Sequence, residues 1–247
     1  MQYPNCPEKY QQNSLLNPKD FVRYANYPSK MPQKILITFD PDCLKYFLNR
    51  YPNTTEIRLH EDLIIHHYQT IGFVRLPGIG GPFIAAAVEE MIALGAASFI
   101  TVGTAGGLKK EGVFVCQKAL REEGTSYHYL PAERYVEADE HLSTALAASL
   151  TRLGISYAWG TTWTTDAPYR ETPVEVQTFA REGVDTVEME CASLFAVAKF
   201  RRVAAASVVV VGDVLSESWT PMFRNAAIQT TLPRLIDAAV NCLMELP

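Results

Sequence analysis

The stretch Val187-Glu188-Met189-Glu190-Cys191-Ala192-Ser193-Leu194-Phe195-Ala196-Val197-Ala198 leads into Ala204-Ala205-Ala206-Ser207-Val208-Val209-Val210-Val211-Gly212-Asp213. Its first part predicts a helix over 190–200, opened by two acids that flank a methionine. Its second part predicts a central strand over 204–211. A run of small and β-branched apolar residues without polar alternation is buried on both faces, as strands of a parallel sheet are. A helix feeding such a strand is the unit of an α/β fold. The acids stand at the edges of buried elements, where a carboxylate is costly unless it binds or reacts with something.

The same alternation extends outward along the chain. A last helix is predicted over 229–244. Upstream, strands are predicted over 34–39, 69–76, 98–102, 113–120 and 155–165. Helices are predicted over 82–94, 139–150 (capped by Asp139 and ended by Gly154) and 172–182. Pro82 suits a first helical turn, and Ile84, Val88, Met91 and Ile92 recur at helical spacing. These elements predict one α/β domain over 33–247 with a mixed or largely parallel sheet between helices. Residues 1–32, with Pro4, Pro7, Pro18, Pro28 and Pro32, read as an irregular N-terminal arm, wrapping the domain or meeting another subunit.

The totals exclude several function classes. The 247 residues suffice for one large core. A net charge of -5 offers no basic footprint for nucleic acid. No apolar run is long enough for a membrane helix, and the polar, proline-containing start predicts no secretory leader. Cys6, Cys43, Cys116, Cys191 and Cys242 are scattered, with no metal spacing, which reads as reduced thiols in a cytoplasmic protein. His66-His67 lacks a third ligand and reads as a surface or edge-strand pair, so no metal is expected.

Two glycine-rich segments adjoin predicted elements. Gly103-Thr104-Ala105-Gly106-Gly107 reads as a turn after a buried strand, where N–H groups can approach a ligand closely. Pro77-Gly78-Ile79-Gly80-Gly81 precedes a helix, whose N-terminus presents free N–H groups. Either segment is equally an ordinary connection; two feeding one sheet edge point to a site. Glu190 can accept from a vicinal diol, and Met189 offers a polarisable surface for a sugar. Glu188 reads as a helix-start charge. Asp213, after an apolar run, can stay neutral and protonate a ring nitrogen, or else cap the next turn with Ser216. His128 reads as a packing residue or a ligand to a hydroxyl.

Taken together, these segments resemble the nucleoside phosphorylase and nucleosidase superfamily over roughly residues 34–245. The resembling stretches are Pro77–Leu94, Gly103–Gly107, Glu123-Gly124-Thr125-Ser126 with Tyr129-Leu130-Pro131, Val187–Glu190, and Asp213. The resemblance implies a three-layer α/β/α fold with a mixed, partly barrel-like central sheet. It implies a homo-oligomer, dimeric or hexameric, acting on a small nucleoside, with phosphate as co-substrate and no other cofactor. By the same resemblance Met189, Glu190 and His128 hold ribose. Ala105, Gly106, Tyr169 and Val187 line the base, and Asp213 protonates it, which favours a purine. Thr104, Thr101, Arg58 and Gly80 would face phosphate or water, with Arg58 matching an arginine that crosses a subunit interface.

The departures concern the acceptor. Phosphorolytic members carry Gly-Asp-Pro followed by an arginine, where this chain has Phe39-Asp40-Pro41-Asp42-Cys43. Thr101 stands in place of a second arginine. The uridine-specific glutamine and arginine have no match at Arg170-Glu171-Thr172. The expected reaction is phosphorolysis of a purine nucleoside. Hydrolysis, including that of a nucleoside monophosphate bound through Lys109 and Lys110, and non-catalytic nucleoside binding are the alternatives.

Overall fold

The computed structural model describes residues 6, 8–28, 30–108, 110–216 and 218–246. In chain order the elements are α1 (Pro18–Tyr24), β1 (Lys34–Thr38), α2 (Pro41–Arg50), β2 (Thr55–His60), β3 (Leu63–Tyr68) and β4 (Ile71–Arg75). Then follow α3 (Gly81–Ala93), β5 (Ser98–Leu108), β6 (Val113–Glu122), β7 (Tyr135–Glu137), α4 (Glu140–Arg152) and β8 (Ala158–Thr165). The remainder is α5 (Pro173–Arg181), β9 (Thr186–Glu188), α6 (Cys191–Arg201), β10 (Ala204–Leu215), β11 (Trp219–Pro221) and α7 (Ala226–Glu245).

The sheet runs β11-β10-β6-β8-β9-β5-β1-β4-β3-β2, and β10 also pairs with β5. That extra pairing closes β10, β6, β8, β9 and β5 into a five-stranded barrel, from which β1, β4, β3 and β2 extend as an open wing. Helices cover both faces. Ile84, Val88 and Met91 of α3 and Leu194, Phe195 and Val197 of α6 share one core with Ile35, Phe99 and Val209. Phe47 of α2, Leu146 of α4 and Leu235, Ile236 and Leu243 of α7 share the other with Leu36, Ile100 and Val208. Neighbours along β1 and β10 thus alternate between the two cores, the period-2 geometry of a strand buried on both sides. The three-layer α/β/α architecture with a partly barrel-like mixed sheet is the expected one.

Four local expectations are corrected. Gly103–Gly107 is not a turn: β5 continues through it because β10 pairs with it along its whole length, and β9 joins at Gly106 and Gly107. Gly106 and Gly107 allow close approach, since a Cβ on Gly107 would meet Lys110 O at 2.1 Å and one on Gly106 would meet Val187 Cγ1 at 2.8 Å. Residues 55–68 form a hairpin that places β2 at the edge and buries His66 inside it. β10 runs past Val211 to Leu215, with an irregularity between Val211 and Asp213 where Gly212 is the extra residue. The arm is partly ordered: Pro18 opens α1, Asn17 Oδ1 accepts from Lys19 N–H at 2.9 Å, and α1 packs on α3. Pro4 and Pro7 lie outside the described residues.

Candidate functional site

Strand register assembles the site from separate parts of the chain. Asp213 stands opposite Gly106, Gly106 opposite Val187, and Val187 opposite Trp163, in one row across β10, β5, β9 and β8. A Cβ on Gly106 would lie 2.8 Å from Val187 Cγ1 and 3.6 Å from Asp213 Oδ1. The missing side chain therefore lets the acid and Val187 close over β5. Asp213 is 9% exposed, and its Oδ2 accepts from Trp219 Nε1 at 2.8 Å. Burial pushes the Asp213 carboxyl above its usual range, against the downward pull of the indole hydrogen bond. A carboxyl held this way can carry a proton to a ligand.

The start of α6 divides labour between its two acids. Glu188 Oε2 accepts from the N–H groups of Glu190 (2.8 Å) and Cys191 (2.7 Å), and Oε1 accepts from Thr164 Oγ1 at 2.6 Å. It satisfies helix-start donors that would otherwise be orphaned. Relieved of capping, Glu190 reaches the start of α3, where its Oε1 accepts from Gly80 N–H at 2.5 Å. Gly80 sits at φ 96°, a left-handed-region value that favours glycine. Met189 Cε lies 3.9 Å from where a Gly80 Cβ would stand, so thioether, carboxylate and helix start share one place. Burial raises both glutamates; Glu190 is pushed up to about 7 by burial and then by Glu188, against its bond from Gly80.

A further buried acid secures this corner. Glu123 Oε2 accepts from Ser126 N–H and from Ser193 Oγ, each at 2.9 Å. A Cβ on Gly81 would meet Ser193 Oγ at 2.4 Å and Thr125 Oγ1 at 3.2 Å. The first turn of α3 thus seats directly on α6 and on the loop after β6. Asp166 Oδ2 accepts from Gly124 N–H at 2.8 Å and ties in the loop after β8.

Not every expected residue joins the cluster. Ala105 lies in β5 one residue before Gly106, and Thr104 packs on Gly212, whose Cβ would come within 3.2 Å of Thr104 Cβ. Thr101 is buried in the same strand three residues earlier, and strand alternation directs it to the opposite face from Thr104. His128 is 3.0 Å from Lys9 Nζ. Tyr169 is 98% exposed. Arg58 is exposed on edge strand β2, paired with Glu56 at 2.7 Å, far from Asp213 in strand order. Lys110 pairs with Asp185 at 2.7 Å, and Lys109 lies outside the described residues.

The acceptor end differs from the charged one the resemblance implies. Cys43 is buried on α2 beside Phe47, and burial followed by Asp40 pushes its thiol up to about 12, so it is uncharged. Phe39 follows β1, its ring 3.8 Å from where a Gly103 Cβ would be. The indole of Trp219, which donates to Asp213, was missed by sequence reasoning. Trp219 is reached only through the β10–β11 hairpin, which no turn dipeptide announces. A separate concavity, lined by Glu137, His141, Lys199 and Ala205, sits by the amino end of β10, at the other end of that strand from Asp213. Among the described residues no group of three His, Cys, Asp or Glu could hold a metal ion, and no helix is long and apolar enough to cross a membrane.

Comparison with known proteins agrees with this geometry. The family model of the phosphorylase superfamily matches residues 33–243. A uridine phosphorylase of Thermococcus kodakarensis is 30% identical over 228 residues, covering 84% of this chain and 79% of the relative. Among solved structures, a purine nucleoside phosphorylase of Toxoplasma gondii in complex with immucillin-H superposes with a TM-score of 0.76 at 24% identity, covering 87% of this chain and 92% of that one. An AMP nucleosidase of Bacteroides thetaiotaomicron superposes with a TM-score of 0.73 at 20% identity, covering 93% and 98%. At these identities the two structures speak for the fold, whereas the model match over most of the chain decides descent: this chain belongs to the phosphorylase superfamily.

Proposed function

We propose that the chain cleaves the N-glycosidic bond of a nucleoside by phosphorolysis and that its preferred leaving base is a purine. The observation that carries this reading is the buried Asp213 in register with Gly106 and Val187, on the sheet that also sets Glu190 against Gly80. Glu190 accepts from the ribose hydroxyls and Met189 packs on the sugar. As the bond from C1′ to the base breaks, its electron pair goes to the base. The ribose passes through an oxocarbenium-like state, and Asp213 gives its proton to N7 of the base. A phosphate oxygen forms the new bond to C1′, leaving ribose 1-phosphate and free base. Thr104 and the Gly80 turn support the acceptor end. Arg58, exposed at the edge of the sheet, is available to the site of a second copy, so the active form is a homo-oligomer.

A second reading has water as the acceptor. Phe39 beside Gly103 and the uncharged, buried Cys43 favour it, because both take space or charge from a phosphate site. Base release from inosine, adenosine and uridine, with and without phosphate, separates the readings. Phosphorolysis predicts release that requires phosphate and yields ribose 1-phosphate, faster from the purine nucleosides than from uridine. Asp213→Asn is expected to lower purine release by roughly 10²–10⁴-fold, the range for loss of a general acid. Release without phosphate transfers the chain to the hydrolytic reading, and a preference for uridine overturns the purine assignment.

A further inference from the structure

The open wing of the sheet carries two arginines on one face. Ile37 of β1, Ile57 and Leu59 of β2, Ile65 of β3 and Val74 of β4 all pack into the core beneath α3 and α6. Their strand neighbours Thr38, Arg58, Ile64 and Arg75 therefore lie on the opposite face, the one that holds Leu36 and Phe73 under α2. Register sets these residues in one row. Arg58 stands opposite Ile64, the ladder that pairs Ile65 with Val74 brings Ile64 beside Arg75, and Arg75 stands opposite Thr38. Arg58 and Arg75 are thus two strands apart, about 9–10 Å between backbones, with Ile64 between them. Two side chains of that length can close on one ligand above the isoleucine. Arg75 is partly buried; its Nε is shut off from solvent and makes no hydrogen bond, and among the described residues no carboxylate pairs with its guanidinium. A buried donor without an acceptor is costly, and an arginine fork matches an oxyanion that takes parallel N–H bonds. Arg58 holds only Glu56, in an exposed pair that a ligand can displace. The backbone beneath is fixed, since Leu76 N–H donates to Thr38 O at 2.8 Å where β4 leads into the Gly80 turn.

We propose that Arg75 is a phosphate-binding residue, the second arm of a clamp whose first arm is Arg58. The two hold the oxyanion of the co-substrate, inorganic phosphate, at the site that Arg58 serves across a subunit interface. The inference rests on the phosphorolytic reading and supplies the positive charge that Cys43 and Thr101 do not. Arginine suits the task because its charge persists at any working pH and its donors are set in a planar fork.

The test is the KM for inorganic phosphate, at saturating inosine or adenosine, in the wild type, Arg75→Ala, Arg75→Gln and Arg75→Lys. The circular dichroism and sedimentation of each variant are recorded, and Arg75→Gln carries the test if Arg75→Ala does not fold. Arg75→Ala should raise the phosphate KM roughly tenfold or more, the worth of a charge-assisted bond, and leave the nucleoside KM within about twofold. Arg75→Lys should recover part of the loss, because an ammonium restores the charge without the fork. A second readout needs no turnover: inorganic phosphate should raise the Tm of the wild type, and Arg75→Ala should lose most of that rise. A phosphate KM within about twofold of wild type in both Arg75→Ala and Arg75→Gln, or an undiminished rise in Tm, overturns the proposal while base release that requires phosphate leaves the phosphorolytic reading standing. Base release without phosphate, with a rise in Tm that Arg75→Ala abolishes, ends the phosphorolytic reading and keeps the clamp as an oxyanion site. Base release without phosphate and no rise in Tm overturns both.

Discussion

Gly80 N–H donates to Glu190 Oε1 at 2.5 Å, so the amino ends of α3 and α6 are joined through the carboxylate proposed to hold the sugar. Substituting Glu190→Gln keeps the shape and removes the charge. Charged hydrogen bonds contribute about 1.5–3 kcal/mol each. Loss of two to ribose should lower kcat/KM roughly 10²–10³-fold or more, read in the base-release assay.

The same substitution alters the pH dependence of stability. Glu190 has its folded-state pKa raised, to about 7. Between the unfolded carboxyl value and that pH the folded state therefore binds more protons than the unfolded state. Stability then falls as pH rises through this window, the reverse of the usual carboxylate behaviour. Thermal melts of the wild type should show Tm decreasing from about pH 5 to pH 7.5, and Glu190→Gln should flatten that decrease. A chain of this size moves roughly 2–4 °C per kcal/mol, so the difference is measurable. Glu188 titrates with Glu190 as a pair, and its own raised value adds to the slope.

Trp219→Phe removes the indole donor from Asp213 and leaves a ring of similar reach. The bond lowers the Asp213 pKa, so its loss lets burial raise that value further. Because the protonated form is the one that donates, the alkaline limb of the kcat/KM profile should move to higher pH. With Trp219 61% exposed, stability should change by no more than about 1 kcal/mol. An unmoved limb would show that Asp213 does not set it.

Gly81→Ala tests the seat of α3. The new methyl would meet Ser193 Oγ at 2.4 Å, and the hydroxyl can turn away only by giving up its hydrogen bond to Glu123. Overpacking of this kind costs typically about 1–3 kcal/mol. In a Ser193→Ala background the cost should shrink by roughly 1 kcal/mol, a coupling that denaturant melts of the four proteins in the cycle resolve.

Arg58→Ala should leave folding intact, because an exposed pair with Glu56 contributes at most about 1 kcal/mol. If Arg58 serves a neighbour's site, the variant loses activity, and a co-refolded mixture with Asp213→Asn regains about a quarter of wild-type activity through hybrid dimers. Full activity in Arg58→Ala would place Arg58 outside the reaction, and lost activity with no recovery on mixing would exclude a role across an interface.

Local chemistry made the acids legible. Glu190, Asp213 and the glycine of the α3 entry could be named from sequence because each breaks an apolar pattern at an element's edge. Pairing between distant strands was not legible. Nothing near Ser98–Leu108 says that β10 will hold its second half straight, so its glycines resembled a turn. Nothing near Trp219 says that the chain doubles back onto Asp213. Arg58 and Tyr169 were chosen by resemblance to proteins that assemble, and a single chain leaves both exposed.

Gly212 sets the phase of the acid. In an unbroken strand Val211 and Asp213 would project to one side, and the carboxylate would enter the apolar layer beneath α3 and α6 with Val209 and Val211. The extra residue shifts the count by one and turns Asp213 toward Gly106. Space also pins the position, since a Cβ at 212 would strike the Phe223 ring at 2.7 Å. The identity of residue 213 is therefore only half of what fits it to the proposed role of acid for the leaving base. The other half is a parity, and a chain that kept the aspartate but regularised the strand would hold a buried charge where its chemistry had been.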